Sequence, residues 1–165
     1  MEQPEKLRFS PLAVPIHVVL VEPEIPPNTG AIARTCVATG TPLHLVGELG
    51  FDLSEHRVRR AGLDYWPKLT LHRHETFEAC EAAIPRSRMV LFSANADRGF
   101  LDFDPSPGDA LVFGRESVGL PRGLIEAHRP NVVAIPTTGE VRSLNLSNAV
   151  AIAVYDWLRR LDAFR

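Results

Sequence analysis

The segment VRSLNLSNAVAIAVYDW, Val141 to Trp157, places polar groups at the mouth of an otherwise apolar helix. Five of the seven residues from Arg142 to Asn148 are polar, namely Arg142, Ser143, Asn145, Ser147 and Asn148. A single Ser or Asn is enough to cap a helix. The acidic or amide residue that would complete a capping box with Ser143 is absent, because Leu146 stands three positions on. The surplus predicts a binding role: the first turn of a helix offers free N–H donors to an anionic or carboxylate-bearing ligand. Glu22–Gly30 (EPEIPPNTG) and Gly114–Pro121 (GRESVGLP) are two more loops of this kind, each following a short apolar run. Ligands of parallel α/β sheets gather beyond the carboxyl ends of the strands, so the three loops predict one cleft. Gly114 and Gly119 would let the backbone approach a ligand closely, although turn-making alone also accounts for them.

The elements that must hold these loops are read from apolar periodicity. Ile16–Val21 (IHVVLV) predicts a buried strand. Three prolines stiffen the loop after it, and Asn28 or Thr29 can then cap a helix that runs to about Thr39 and stops at Gly40. Further strands are expected at Leu43–Val46, Leu69–Leu71, Met89–Phe92, Ala110–Phe113 and Val132–Ile135. Helices are expected at Ser54–Ala61, at Glu75–Ala83 and from Pro121, which suits a first helical turn. Leu101–Asp109 (LDFDPSPGD) reads as a surface loop. The last helix is expected from about Asn145 to Leu161, with Leu146, Val150, Ala153, Val154, Trp157 and Leu161 on one face and Ala149, Ile152 and Leu158 widening it. Strands alternating with helices predict an α/β fold, a mainly parallel sheet with flanking helices. Residues 1–14 read as a flexible lead-in and 15–165 as a single domain.

Composition narrows the function. The chain has 165 residues, 45% hydrophobic and 23% charged, with a net charge of −2. A protein that coats nucleic acid at large should be basic, so an RNA partner must be held by a local patch. His56–His74 offers one: Arg57, Arg59, Arg60, Lys68 and Arg73 stand against Asp64 alone, with Tyr65 and Trp66 as stacking groups. The basic neighbours argue against a metal held by His56, His72 and His74. Cys36 and Cys80 have no metal-ligand spacing, so neither a disulfide framework nor a zinc site is expected, and a reducing cytoplasm fits. No apolar run approaches the length of a membrane span. Dinucleotide, P-loop, zinc-protease and nucleophile-elbow motifs are all missing, which disfavours a nucleotide-binding oxidoreductase.

Four blocks occur in order: EPEIPPNTGAIARTC, RRAGLDYW, FGRESVGLP and IPTTGEVRSLNLSNAVAIAVYDW. In content and spacing the chain resembles the SPOUT superfamily of RNA methyltransferases, and within it the small bacterial tRNA (cytidine(34)-2'-O)-methyltransferases. The likeness covers residues 16 to about 161 and rests on N-x-G-x-x-x-R, F-G-x-E-x-x-G-L and S-L-N-L-S-N-A. It implies a C-terminal trefoil knot, which general topology rules would not predict, and a homodimer with the first and last helices near the contact.

The resemblance also implies S-adenosylmethionine as cofactor, held by Ser93, Ala94, Gly114, Ile135, Ser143 and Leu144. It implies Arg34 as the catalytic-site arginine, with Asn28 and Gly30 shaping its loop and Glu116, Ser143 and Asn145 in the same cleft. RNA is expected to meet Arg34, Arg57, Arg59, Arg60 and Arg142, and the anticodon region of tRNA is the implied partner, with no metal and no membrane. A guanidinium stays protonated near neutral pH, so Arg34 is expected to position a phosphate or polarise the 2'-hydroxyl rather than act as a base. Competing readings are the same chemistry at another tRNA position or on ribosomal RNA, and a non-catalytic RNA-binding module.

Overall fold

The computed structural model describes residues 5–54 and 64–165. Six strands among them form one parallel sheet: β1 (His17–Val21), β2 (Leu43–Val46), β3 (Leu71–His74), β4 (Met89–Phe92), β5 (Ala110–Phe113) and β6 (Val132–Val133). Their order is β3-β2-β1-β5-β4-β6. The direction of winding therefore reverses between β1 and β5, and such a switch point opens a crevice at the carboxyl edge of the sheet. The register Val18↔Leu43 and Val18↔Leu111 aligns the apolar residues of the three central strands.

Helices α1 (Pro26–Thr39) and α4 (Leu146–Arg160) cover one face, where Ile32, Cys36, Leu20, Leu45, Leu111, Val154 and Trp157 make the larger core layer. Short helices α2 (Phe77–Ala83) and α3 (Arg122–Ala127) flank the other, around Val19, Val46, Phe77, Cys80, Leu91 and Val112. No helix among the described residues is long and apolar enough to cross a membrane.

Continuous apolar runs form strands where their sequence predicts them, at β2, β4 and β5. The departures are local. Helix α1 begins at Pro26, not after an Asn28 or Thr29 cap; Ile25 is its N-cap and makes no side-chain cap bond. Paired prolines have preset φ and no N–H to satisfy, so the turn starts without a capping oxygen and Asn28 is free for other partners. Strand β3 runs Leu71–His74 because a 3₁₀ turn at Trp66–Lys68 occupies the chain first. Thr76 caps α2 by accepting from Ala79 N–H at 3.1 Å, which moves that helix start to Phe77. Pro121 is the N-cap of α3 rather than its first-turn residue. Strand β6 stops at Val133, and the loop carries Ala134 and Ile135 to the cleft edge. The expected helix Ser54–Ala61 falls mostly outside the described residues.

Helix α4 uses its predicted face, with Trp157 fully buried, but Ile152 stands 42% exposed beside solvent-facing Tyr155. Leu101–Asp109 is more than a surface loop. Phe103 and Asp109 are buried, and Asp109 accepts from Trp157 Nε1 at 2.9 Å, Arg88 Nε at 3.0 Å and Ser106 N–H at 2.8 Å. A carboxylate taken from water survives only with such partners. Removing it strands the Arg88 and Trp157 donors, so Asp109→Ala is expected to lose about 3 kcal/mol of stability, read as a lower urea midpoint with an unchanged m-value. The lead-in is seated at two points: Phe9 packs edge-on to Phe164 with centroids 4.9 Å apart, and Leu12 lies against the core.

Candidate cofactor cleft and catalytic site

The loops after β1, β4, β5 and β6 meet at the switch point and, with the mouth of α4, line a cleft of about 1100 Å³. Ser93 and Ala94 extend from β4, Gly114 from β5 and Ile135 from β6, while Ser143 and Leu144 precede α4; all six line it. Asn28, Glu116, Asn145 and Arg142 line the same space. Apolar walls come from Phe92, Leu146 and Ala149. The cleft therefore combines apolar surface with a few polar groups at one edge, the usual make-up of a cofactor site.

A hydrogen-bonded chain fixes that edge. The Glu116 carboxylate accepts from Glu24 N–H at 2.8 Å, Ile25 N–H at 3.1 Å and Asn28 Nδ2 at 3.4 Å. Asn28 Oδ1 in turn accepts from Asn145 Nδ2 at 3.1 Å. The first sequence block is thereby locked to two others, some ninety and a hundred and twenty residues further along the chain. Ser117 Oγ donates to Glu24 at 2.6 Å, and Arg142 Nη2 donates to the Ser117 carbonyl at 3.1 Å. Arg115 pairs with Glu22, whose φ of 50° turns the chain sharply out of β1. Hydrogen bonds to a carboxylate are worth roughly 1.5–3 kcal/mol each when buried. Glu116→Gln turns an N–H₂ group towards one backbone N–H, so a loss of about 2 kcal/mol in stability is expected. Chemical denaturation measures it, and looser loops should raise the KM for RNA.

The polar mouth is more self-contained than its composition predicts. Asn145 Oδ1 accepts from Ser147 N–H at 3.0 Å, Asn148 N–H at 3.3 Å and Ser147 Oγ at 2.6 Å. These donors are spent on capping and are not spare for a ligand, although Arg142, Ser143, Leu144, Asn145 and Leu146 of the mouth line the cleft.

Arg34 lies elsewhere. It is exposed on α1, outside the cleft lining, with Cζ 5.9 Å from the Tyr65 ring centroid. The Tyr65 hydroxyl donates to the Gly30 carbonyl at 2.9 Å, and burial pushes its pKa up, so it remains a donor. Tyr65 is thus a bracket for the first turns of α1, a role hidden in the sequence, where it reads as a stacking group for RNA. Glu24 escapes sequence reasoning, because its partners are set by loops that meet only in the fold, whereas Ser117, which the resemblance places beside Glu116, does line the cleft. Arg57, Arg59, Arg60 and His56 lie outside the described residues.

Similarity to known proteins points the same way as this geometry. The SpoU rRNA Methylase family matches residues 15–155. The chain is 45% identical over 148 residues to a tRNA (cytidine(34)-2'-O)-methyltransferase of Burkholderia pseudomallei, covering 87% of this chain and 94% of that one. A solved structure concerned with the 2-OH methylation of C/U34 on tRNA superimposes with a TM-score of 0.83 at 45% identity, covering 89% of this chain and 96% of that one. An AdoMet-bound rRNA methyltransferase from Sinorhizobium meliloti superimposes with a TM-score of 0.76 at 27% identity, covering 93% of this chain and 62% of that one. The signature blocks that converge on the cleft thus sit in a chain that belongs to the SpoU methylase family.

Proposed function

We propose that this protein is an S-adenosylmethionine-dependent methyltransferase that modifies the ribose 2'-hydroxyl of the wobble nucleotide, position 34, of tRNA. The observation that carries the reading is the convergence of the three signature blocks on one cleft, joined through Glu116, Asn28 and Asn145. Relatives that match this chain across nearly their whole length are named for this reaction. The fold belonging to the reading is one 15–165 domain with a C-terminal trefoil knot, working as a cytoplasmic homodimer on the anticodon region.

The residues present fit the cofactor. A Cβ placed on Gly114 would stand 2.2 Å from the Gly119 carbonyl carbon and 2.3 Å from Leu120 N, so the loop closes on itself only around a glycine. Backbone edges at Ser93, Gly114, Ile135 and Leu144 would hold the adenosyl and amino-acid ends, and the cleft is large enough to admit a ligand of that size. Bound there, the cofactor supplies an electrophilic methyl group on a sulfonium.

The protein's own part is to orient and polarise. Holding two reactants in line is worth several orders of magnitude in rate. Arg34 keeps its charge, so it stabilises negative charge developing on the 2'-oxygen or grips a flanking phosphate, while the proton passes to phosphate or water. In one chain Arg34 stands outside the cleft. A homodimer that packs α1 and α4 against a second copy would bring it to the neighbouring cleft. Exposed Ile25, Ile152 and Tyr155 suit that contact.

Titration calorimetry with S-adenosylmethionine and S-adenosylhomocysteine tests the pocket. Saturable binding of both is expected. No binding of either at millimolar ligand, with RNA absent or present, would remove the cofactor from the reading.

A further inference from the structure

Away from the cleft, beneath α2, the fold gathers a thiol and two imidazoles. The ligating atoms of His44, His74 and Cys80 all lie within 4.8 Å of one another. They come from β2, the edge strand β3 and α2. His44 and Cys80 are buried, and His74 is half-buried at the sheet edge, which leaves a path from solvent. None of the three lines the cleft.

The spacing of the two imidazoles suits coordination. His44 Nδ1 and His74 Nε2 are 3.0 Å apart. Two nitrogens bound at about 2.05 Å to a tetrahedral ion sit roughly 3.3 Å apart, so the pair needs to open by only a few tenths of an ångström. The other His44 nitrogen, Nε2, lies 3.0 Å from His17 Nδ1. That is the outer contact that fixes the tautomer and orientation of a ligating imidazole. His72 stacks on His44 with centroids 4.8 Å apart and narrows its motion further.

We propose that His44, His74 and Cys80 bind a transition-metal ion of the zinc class, with a fourth position open to water. Two imidazoles and a thiolate favour such ions over magnesium or calcium, which take oxygen ligands. On binding, the Cys80 S–H bond breaks and its proton goes to solvent. Two coordinate bonds to nitrogen replace the His44–His74 hydrogen bond, and its proton moves to the other nitrogen of the ring that carried it. A thiol ligates as the thiolate, so uptake releases a proton. The ion would tie the edge strand to its neighbour and to the helix above. Sequence spacing hides the set, because the two histidines are thirty positions apart and become neighbours only through strand pairing.

Titrating the metal-free full chain with Co²⁺ tests the site. One ion per chain is expected, with a thiolate-to-cobalt charge-transfer band in the near ultraviolet and visible bands of a four-coordinate ion, both displaced by Zn²⁺. Cys80→Ala should abolish the charge-transfer band, and His74→Ala should weaken binding at least about tenfold. Cys36→Ala should change neither, since Cys36 lies in the other core layer. Should Cys80→Ala fail to fold, the wild-type titration decides alone. No uptake, or uptake without a thiolate band, would overturn the proposal and leave a hydrogen-bonded imidazole pair. A band that persists in folded Cys80→Ala would overturn it too.

Discussion

Arg34→Ala is expected to lower the methyl-transfer rate constant by about 10²–10³-fold, the usual loss when one positioned donor is removed from a developing negative charge. Cofactor affinity should not change, because Arg34 does not line the cleft of its own chain. Stability should change little, since the side chain is exposed and, among the described residues, it meets the face of Tyr65 at 5.9 Å. An exposed cation–π contact is worth about 0.5–1 kcal/mol. Arg34→Lys keeps the charge but not the planar fork, and only partial recovery is expected. Single-turnover kinetics with saturating tRNA separate these outcomes from weaker RNA binding. Near-normal turnover in Arg34→Ala would remove this residue from the chemistry. Tyr65→Leu offers a graded version of the same test: the bracket at Gly30 is lost, and kcat should fall with less effect on cofactor binding.

Gly114→Ala is expected to abolish cofactor binding at accessible concentrations. Backbone atoms at 2.2 and 2.3 Å from the new Cβ cannot swing aside as a flexible side chain would, so the Gly114–Leu120 loop must shift. Arg115 N–H bonds to the Gly119 carbonyl at 3.2 Å and Gly119 N–H to the Arg115 carbonyl at 2.9 Å, and both bonds would be strained. Overpacking of this kind typically costs about 1–3 kcal/mol. Displacing a binding loop by about 1 Å can cost on the order of 10²-fold in function. Calorimetry should show at least that loss in cofactor affinity, with a lower thermal midpoint. Gly123→Ala is the matched control, because a Cβ there meets nothing within 4 Å.

Much of this fold was legible where chemistry is local. The runs LHLV, MVLF and ALVF are wholly buried and became strands between the predicted residues. The β3 segment LHRH carries no apolar run to mark it, and its place was set by the preceding 3₁₀ turn and by pairing with β2. That three loops share one cleft was legible from the glycines, prolines and Asn–Ser pairs that packing alone does not require, whereas Ser93, Ala94, Ile135 and Leu144 were reached only through the family resemblance. The individual partners of the cleft residues were not legible. Asn28 looked like a cap until the prolines before it took over the start of α1, and the donors of the α4 mouth looked spare until Asn145 accepted them. Arg34 matched its block, but its distance from the cleft depends on how the chain winds.

The most direct test of the proposed reaction is to incubate the purified protein with S-adenosylmethionine and total tRNA from a strain lacking the gene. Ribose methylation is then mapped by nuclease digestion and mass spectrometry. A new 2'-O-methyl group on nucleotide 34, absent when Arg34→Ala replaces the wild type, is the predicted result. Methylation confined to another tRNA position or to ribosomal RNA, or no transfer by protein that binds the cofactor, would contradict it.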